Sequence, residues 1–405
     1  MNPTARLVLV TAFTVLLFNS GVRFSIGLVL KPMAEDLAWT RTSLSLAVTT
    51  FMVLSAIALP FAGRLVDRFG AGKVLGISVV LMSAGTIAMS FVRTPFDALL
   101  FYGIVVALGS AGTSIAPIGV LVSRWFPQRI GLANSVAISG MGVGQLLIIL
   151  VLSAFLPELG WRAAFIALGA ANVVFVLPLV WLTARKTPTT TQSLEQEPAQ
   201  SSPSQDALKS AVVWRSRYFW WLLSTYAICG FHDFLVATHI VAFALDEGLS
   251  AAVSGNMLAF MGLTGLAGVL VTGFFTDRYG PVWPTIVCFL LRIVLFSALL
   301  LTREPVLIVS AALVFGMTFW ITAPLTLVFV KQHFGLARLG TIAGIVTMVH
   351  HSAGGFGAYL GAVNYDATGN YDLAYVAALV SSVVAIACSW QLRAQTTRLA
   401  QPSAD

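Results

Sequence analysis

The sequence predicts an all-α integral membrane protein of twelve transmembrane helices, arranged as two pseudo-symmetric six-helix bundles. Hydrophobic residues make up 58% of the 405-residue chain and charged residues only 10%, whereas soluble domains have roughly 25% charged residues. A short motif between two apolar runs occurs twice in the sequence, and its two copies are 210 positions apart. The matching residues are Gly63, Asp67, Arg68 and Gly70 in the first copy, and Gly273, Asp277, Arg278 and Gly280 in the second. Such internal repetition indicates two copies of one plan.

Several other classes of protein are excluded by the same composition. The apolar runs are too long, and alternate too little, for a porin-like barrel. The three cysteines, Cys229, Cys288 and Cys388, lie inside apolar runs and are odd in number, which favours packing residues over a disulfide framework. Gly-x-x-x-x-Gly-Lys-Ser/Thr is absent, so we expect no ATP drive. We predict no enzymatic activity, no cofactor and no metal.

The twelve spans follow from runs of about 20 apolar residues, the length that crosses a bilayer. The first run, residues 7–30, is too long for the apolar part of a signal peptide and is read as a span. The predicted spans are 7–30, 43–63, 74–92, 97–122, 131–156, 163–183, 218–244, 251–275, 282–302, 305–330, 338–362 and 372–392.

A polar linker separates the two predicted bundles. Residues 187–205 are rich in Pro, Thr, Ser and Gln, a composition typical of flexible linkers. We therefore predict an N-terminal bundle at 1–184, a linker at 185–216 and a C-terminal bundle with its tail at 217–405.

The distribution of Lys and Arg predicts the orientation. With the N-terminus inside, 16 of the 23 basic residues fall on the cytoplasmic side, five fall opposite, and Arg23 and Arg292 lie within spans. Cytoplasmic loops carry the excess of Lys and Arg. We expect a multi-pass protein of the cell (inner) membrane, monomeric, with both termini cytoplasmic and no role in nucleic-acid binding.

The repeated Gly-x-x-x-Asp-Arg-x-Gly, after spans two and eight, resembles the loop signature of the major facilitator superfamily. Finer features resemble the bacterial monocarboxylate-porter and oxalate–formate-antiporter branch, although the charged pair of that branch in span eight is missing. These features are Gly21–Gly27, Lys31-Pro32, Ala38–Arg41, Ser45, Trp125–Pro127 and Gly160–Arg162.

The resemblance implies the major facilitator fold, in which two bundles enclose a cavity lined mainly by spans one, four, seven and ten. Such halves rock around a midplane site. The motif aspartates Asp67 and Asp277 would then act in gating, by contacts that rocking breaks. The alternative is that Arg68 and Arg278 merely hold their loops inside.

Arg23 is the main substrate-binding candidate. Charge inside a span costs about 2.5–3.5 kcal/mol or more at its centre, so such a residue usually faces a cavity or a partner. Arg23 shares one face of span one with Asn19, and its planar fork suits a carboxylate. In the resembling branch a basic residue here is a substrate-anion contact. The alternative is snorkelling to the outer interface.

Span seven holds the candidates for proton coupling. His232 and Asp233 lie near mid-depth and can titrate when their surroundings shift them. Tyr226 shares a stripe with Asp233 and is a further substrate-binding candidate. A static polar contact is the alternative. For Arg292, in span nine, a structural ion pair with Asp233 is favoured over substrate contact.

Span eleven carries His350 and His351, where oxalate–formate relatives have a basic substrate ligand. Histidine is a conditional cation, so anion binding here would depend on pH. Adjacent helical residues face about 100° apart, so only one is expected to point inward. No further metal ligands are in register, and hydrogen-bonded packing is the alternative. Trp320, with Thr113, Ser114, Gln145 and Asn256, could line the cavity or simply pack.

Together these features predict a secondary active transporter that moves small organic anions, monocarboxylates above all, by alternating access with proton symport. Its partners would be the anion, the proton and the lipid bilayer. The alternatives are an organic anion exchanger, a drug or metabolite exporter, and a non-transporting sensor.

Overall fold

A computed structural model describes residues 3–126, 130–186, 213–334 and 339–400. Within these ranges every regular element is helical. Most of the predicted linker, residues 187–212, lies outside them.

The N-terminal half contains six membrane-crossing helices. The first three, α1, α2 and α3, span Pro3–Leu37, Arg41–Phe69 and Ala71–Ala88. The fourth, α4, runs from Pro95 to Trp125 through a π-helical stretch at Leu99–Val106. The continuous helix Ile130–Ala171 folds back at Gly160, whose φ of 72° requires glycine. Its arms are α5 (130–159) and α6, which continues from 161 through Leu177–Lys186.

The C-terminal half repeats this plan. Helices α7, α8 and α9 span Arg217–Asp246, Ala251–Tyr279 and Val282–Leu301. Helix α10 has two segments, Pro305–Phe319 and Thr322–Phe334. Helices α11 and α12 span Leu339–Thr368 and Asp372–Ala400.

Ten stretches of the described chain are long and apolar enough to cross a membrane. One of them, Val136–Ala184, contains both α5 and α6. Helix α11, rich in Gly and His, is outside the ten by composition, yet at 30 residues it is about 45 Å long and packs along α2 and α7. These two facts reconcile ten apolar stretches with twelve crossings.

The sequence repeat reappears as repeated geometry. The closing glycines of the two motifs, Gly70 and Gly280, have φ values of 85° and 76° and accept no side chain without strain. In addition, α4 is interrupted at Thr113–Ser114 and α10 at Trp320–Ile321. Interrupted helices at corresponding places of two halves are typical of transporter binding sites.

The two halves meet along three helix pairs: α1 with α7, α2 with α11, and α5 with α8. We call the side with Pro3, Lys186 and Arg217 the terminal face, and the opposite side, with Leu37 and Asp246, the far face. The largest apolar cluster joins both halves, whereas a second one, around Tyr218 and Phe329 near the terminal face, belongs to the C-terminal half alone. The halves are thus packed together toward the far face.

Candidate functional site

Arg23 of α1 lies at mid-depth where the two halves meet. Its Cζ is 4.5 Å from the centre of the Phe234 ring on α7, and Nη2 is 3.7 Å from the Met52 sulfur on α2. The buried Nε has no hydrogen-bond partner among the described residues. Within the described chain no carboxylate forms a salt bridge with this guanidinium. Arg23 therefore keeps an unused donor toward the interior.

Aromatic side chains from both halves surround this position. Phe24 of α1 lies edge-on to Phe319 and Trp320 at 5.6 and 6.0 Å between ring centres. The ring centre of Phe319 in turn lies 6.2 Å from that of Phe234, the ring that the Arg23 guanidinium contacts. The indole Nε1 of Trp320, at the break of α10, has no partner among the described residues. The centre of the protein thus offers donors in an otherwise apolar, aromatic setting.

Asp233 and Arg292 form a fully buried ion pair. Arg292 Nη2 lies 2.6 Å from Asp233 Oδ1, with 0% and 1% of the two side chains exposed. The remaining donors of Arg292 reach Thr318 Oγ1 and its carbonyl, both at 3.1 Å, and the carbonyl of Cys229 at 3.4 Å. A buried charge needs such compensation on every side. The pair is contained within α7, α9 and the adjoining end of α10.

The second oxygen of Asp233 faces α11. His350 Nε2 lies 3.2 Å from Asp233 Oδ2, so the carboxylate bridges Arg292 and a histidine that is 14% exposed. His351 bonds the carbonyl of Thr347 through Nδ1 at 2.9 Å, and its ring lies 6.1 Å from the Phe234 ring. The Arg23 guanidinium lies 4.5 Å from the centre of the same Phe234 ring and so borders this space from α1. Arg23, Asp233, His350 and His351 therefore form one polar group around Phe234.

The other candidates lie away from this group. His232 is 0% exposed, bonds Ser381 Oγ on α12 at 2.9 Å, and is bordered by Phe289 and Phe296. Adjacent positions on α7 thus point Asp233 toward α9 and α11, and His232 toward α12.

Asn19 and Tyr226 each contact residues of their own half. The Asn19 amide donates to Ser110 and Thr113 of α4, including a 2.7 Å bond to Thr113 Oγ1. Tyr226 is 3% exposed and borders a cavity of about 10 Å³ with Cys229 and Cys288, about the smallest size that can hold one water.

The repeated motif lies at the terminal face. Arg68 and Arg278 place their guanidinium groups 5.2 and 5.6 Å from the neighbouring rings of Phe69 and Tyr279. The side chains of Asp67 and Asp277 lie outside the described part of the structure. Their predicted gating role stays a prediction.

A polar cluster at the far face connects the halves, and sequence reasoning did not find it. Asp246, the last residue of α7, accepts from Lys31 of α1 at 2.8 Å and from both Nη atoms of Arg41 of α2 at 2.7 and 2.9 Å. Asp366 of α11 accepts from the backbone N–H groups of Arg41 and Thr42 at 3.1 and 2.8 Å. We call these five residues the far-face clasp.

Two tyrosines extend the clasp. The Arg41 guanidinium stacks 3.5 Å above the Tyr365 ring, and Arg41 also donates to the Tyr371 hydroxyl. The signal in the sequence was slight, because charges at the ends of spans are ordinary and do not reveal their partners.

A family model described as Major Facilitator Superfamily matches residues 12–358. Among curated relatives, the uncharacterised transporter YcxA of that superfamily from Bacillus subtilis (strain 168) is 25% identical over 395 residues, covering 92% of this chain and 91% of its own. Human monocarboxylate transporter 11 is 25% identical, with 90% and 78% covered. The oxalate:formate antiporter of Oxalobacter formigenes is 24% identical, with 67% and 63% covered.

Solved structures share the fold. A bacterial homologue of the human lysosomal transporter Spinster, in an inward-facing and unoccupied conformation, has a TM-score of 0.79 at 17% identity, with both chains covered completely. The D323A mutant of the nucleoside transporter NupG has the same TM-score at 15% identity, covering 96% of this chain and all of its own. At these identities the likeness concerns architecture alone.

Proposed function

The chain belongs to the Major Facilitator Superfamily and is a multi-pass membrane transporter, and from this premise we propose that it carries small monocarboxylates by alternating access, together with protons. The solute class is supported by the relatives, which include monocarboxylate transporters and an oxalate:formate antiporter.

Arg23 is the observation that carries the proposal. A permanent cation at mid-depth is costly unless an anion or a polar partner compensates it. Arg292 has Asp233, whereas Arg23 has an aromatic ring, a thioether and an unused Nε donor. A solute carboxylate would supply the missing acceptor, and the surrounding Phe24, Phe234 and Trp320 would receive an apolar substituent.

The Asp233–His350 contact is the proposed place of the proton. His350 is partly exposed and bonds the carboxylate oxygen that Arg292 leaves free. A proton held between Nε2 and Oδ2 would accompany the anion at Arg23. The cargo is then electroneutral, so the loaded and empty carriers bear the same charge through the low-dielectric core.

Orientation and gating complete the proposal. We place the protein in the inner membrane with its terminal face toward the cytoplasm. In this orientation the far-face clasp closes the outer side. The described contacts between halves, such as Gln145 Nε2 to the Leu258 carbonyl at 3.0 Å and Thr49 Oγ1 to the Gly355 carbonyl at 2.8 Å, lie at mid-depth or beyond toward the far face. In the proposed orientation, this arrangement supports an inward-open state.

Anion exchange without protons is the second candidate. It is favoured by the completeness of the Arg292–Asp233 pair, which fills one carboxylate oxygen and leaves the aspartate 1% exposed. A static pair of this kind needs no titration.

Uptake into proteoliposomes tests the proposal. The purified chain is reconstituted and supplied with acetate, L-lactate, benzoate and oxalate, each with and without an imposed pH gradient. We expect net uptake of monocarboxylates that an acidic outside accelerates. Uptake that is independent of the pH gradient but requires a carboxylate inside the vesicles supports exchange. Absence of carboxylate uptake both with and without the gradient refutes the assignment of an anionic solute.

A further inference from the structure

The far-face clasp contains a complete carboxylate-binding site built by one half and filled by the other. Lys31 and Arg41 belong to the N-terminal half, and Asp246 belongs to the C-terminal half. The Asp246 carboxylate receives the two Nη atoms of Arg41 and the Lys31 ammonium, all within 2.9 Å. A bidentate guanidinium with a second cation is a strong geometry for binding a carboxylate.

Separation of the halves at this face would leave that site empty. Each described polar or ring contact of the Arg41 side chain is with the C-terminal half: Asp246, Tyr365 and Tyr371. Among the described residues, Lys31 would then keep only Glu35 as an ion-pair partner, at 3.9 Å, and the Glu35 side chain is 67% exposed. Because Lys31 Nζ and Arg41 Nη2 contact the same oxygen of Asp246, they are close neighbours and would repel each other once the carboxylate leaves.

We propose that Lys31 and Arg41 form an entry site for the solute carboxylate, which Asp246 occupies in the closed state and the solute occupies when the far face opens. The solute identity rests on the proposed function. Asp246 then acts as an internal competitor of the solute. A carboxylate arriving from this side favours opening, since it relieves the repulsion between the two cations.

The entry site lies on the path to Arg23. Lys31 follows Arg23 by eight residues on α1, about 12 Å along the helix and on a similar face. Gly27, halfway between them, faces the Ala237 carbonyl of α7. Opening between α1 and α7 would therefore join the entry site to the central one.

A cysteine reporter measures far-face opening. Thr238 of α7 is 2% exposed and lies beside Gly27, so Thr238→Cys should react with a polar maleimide only when the far face opens. The three native cysteines are buried, and the parent chain without the reporter gives their background. The full chain is placed in nanodiscs and titrated with acetate, with chloride at the same ionic strength as the control.

We expect acetate to raise the labelling rate at least about threefold at a few times its dissociation constant, and chloride to leave it unchanged. Asp246→Asn should lower the half-effective acetate concentration, because the competitor is weakened, whereas Lys31→Gln should raise it. A simple latch would move both variants in the same direction, and that result overturns the proposal. Indifference to acetate in the reporter chain overturns it too.

Two controls separate this proposal from others. Asp36→Asn removes an ion pair with Arg162 on the same face but inside one half, so it should leave the titration unchanged. Arg23→Gln should lower carboxylate transport by about tenfold or more, while acetate still promotes labelling. Acetate-dependent labelling in a chain that transports no carboxylate refutes the proposed function and keeps the entry site. Carboxylate transport without acetate-dependent labelling refutes the entry site and keeps the proposed function.

Discussion

Arg292 and Asp233 lie 2.6 Å apart with both side chains almost completely excluded from solvent. Breaking a buried pair leaves an uncompensated charge and costs about 3–5 kcal/mol, whereas replacing both partners by apolar residues is often neutral. We therefore expect Asp233→Leu and Arg292→Leu to lower the thermal unfolding temperature strongly, and the double variant to recover much of it. Unfolding in detergent, followed by tryptophan fluorescence, measures this.

The control for that pair is Asp36→Asn, because Asp36 and Arg162 are about half exposed and screened by solvent. It should change the unfolding temperature little. A double variant as unstable as the sum of the single losses would show that the two residues are not coupled.

Arg23→Gln should lower carboxylate uptake by about tenfold or more, since a hydrogen bond to a charged group contributes about 1.5–3 kcal/mol. Arg23→Lys should retain part of the activity, because it keeps the charge and loses the planar fork. Initial uptake rates in proteoliposomes measure both. The matched control is Arg93→Gln, at an exposed position. Normal uptake by Arg23→Gln would remove the central role of this residue.

The architecture was predictable because the composition and the internal repeat of the sequence indicate it directly. Long apolar runs and the recurrence of Gly63–Gly70 at Gly273–Gly280 predict two bundles, and the fold and family agree. Rarity of charge inside spans likewise singled out Arg23, Asp233 and Arg292. The breaks at Thr113–Ser114 and Trp320–Ile321 were not predictable, because ordinary residues occupy them and tertiary packing decides where the helix yields.

The contact partners of individual side chains, between the halves and within one half, could not be predicted from the sequence. Lys31, Arg41 and Asp246 stand at span ends, where charges are common, and their contact depends on how the bundles approach each other. His232 and Asp233 are adjacent in sequence, yet one meets Ser381 and the other meets Arg292. The direction of each side chain follows from the rotation of α7, which α9, α11 and α12 determine together.

His350→Gln should abolish the acceleration of uptake by an acidic outside, because glutamine can bond Asp233 but cannot carry a proton. Counterflow at equal pH on both sides should survive. His351→Gln serves as the comparison, since His351 bonds the Thr347 carbonyl of its own helix. It should raise KM through its position near Phe234 while leaving the ratio of rates with and without the gradient unchanged. Equal gradient responses in the two variants would contradict the proposed place of the proton.

Gly27→Ala should favour opening of the far face. A Cβ at this position would lie 2.4 Å from the Ala237 carbonyl oxygen, which is a collision with backbone, so α1 and α7 must move apart. Backbone contact of this closeness requires a small residue. We expect faster maleimide labelling of the Thr238→Cys reporter and a lower rate of uptake, because the closed state of this face is strained.

Gly344→Ala is the matched control for Gly27→Ala, since a Cβ there meets no atom within 4 Å. Both substitutions add one methyl group to a helix and raise helix propensity by a similar amount. A difference between them therefore reports the contact between the halves and not the helix itself. If Gly27→Ala labels no faster than Gly344→Ala, the approach of α1 to α7 does not limit far-face opening, and we then expect the far-face clasp to limit it.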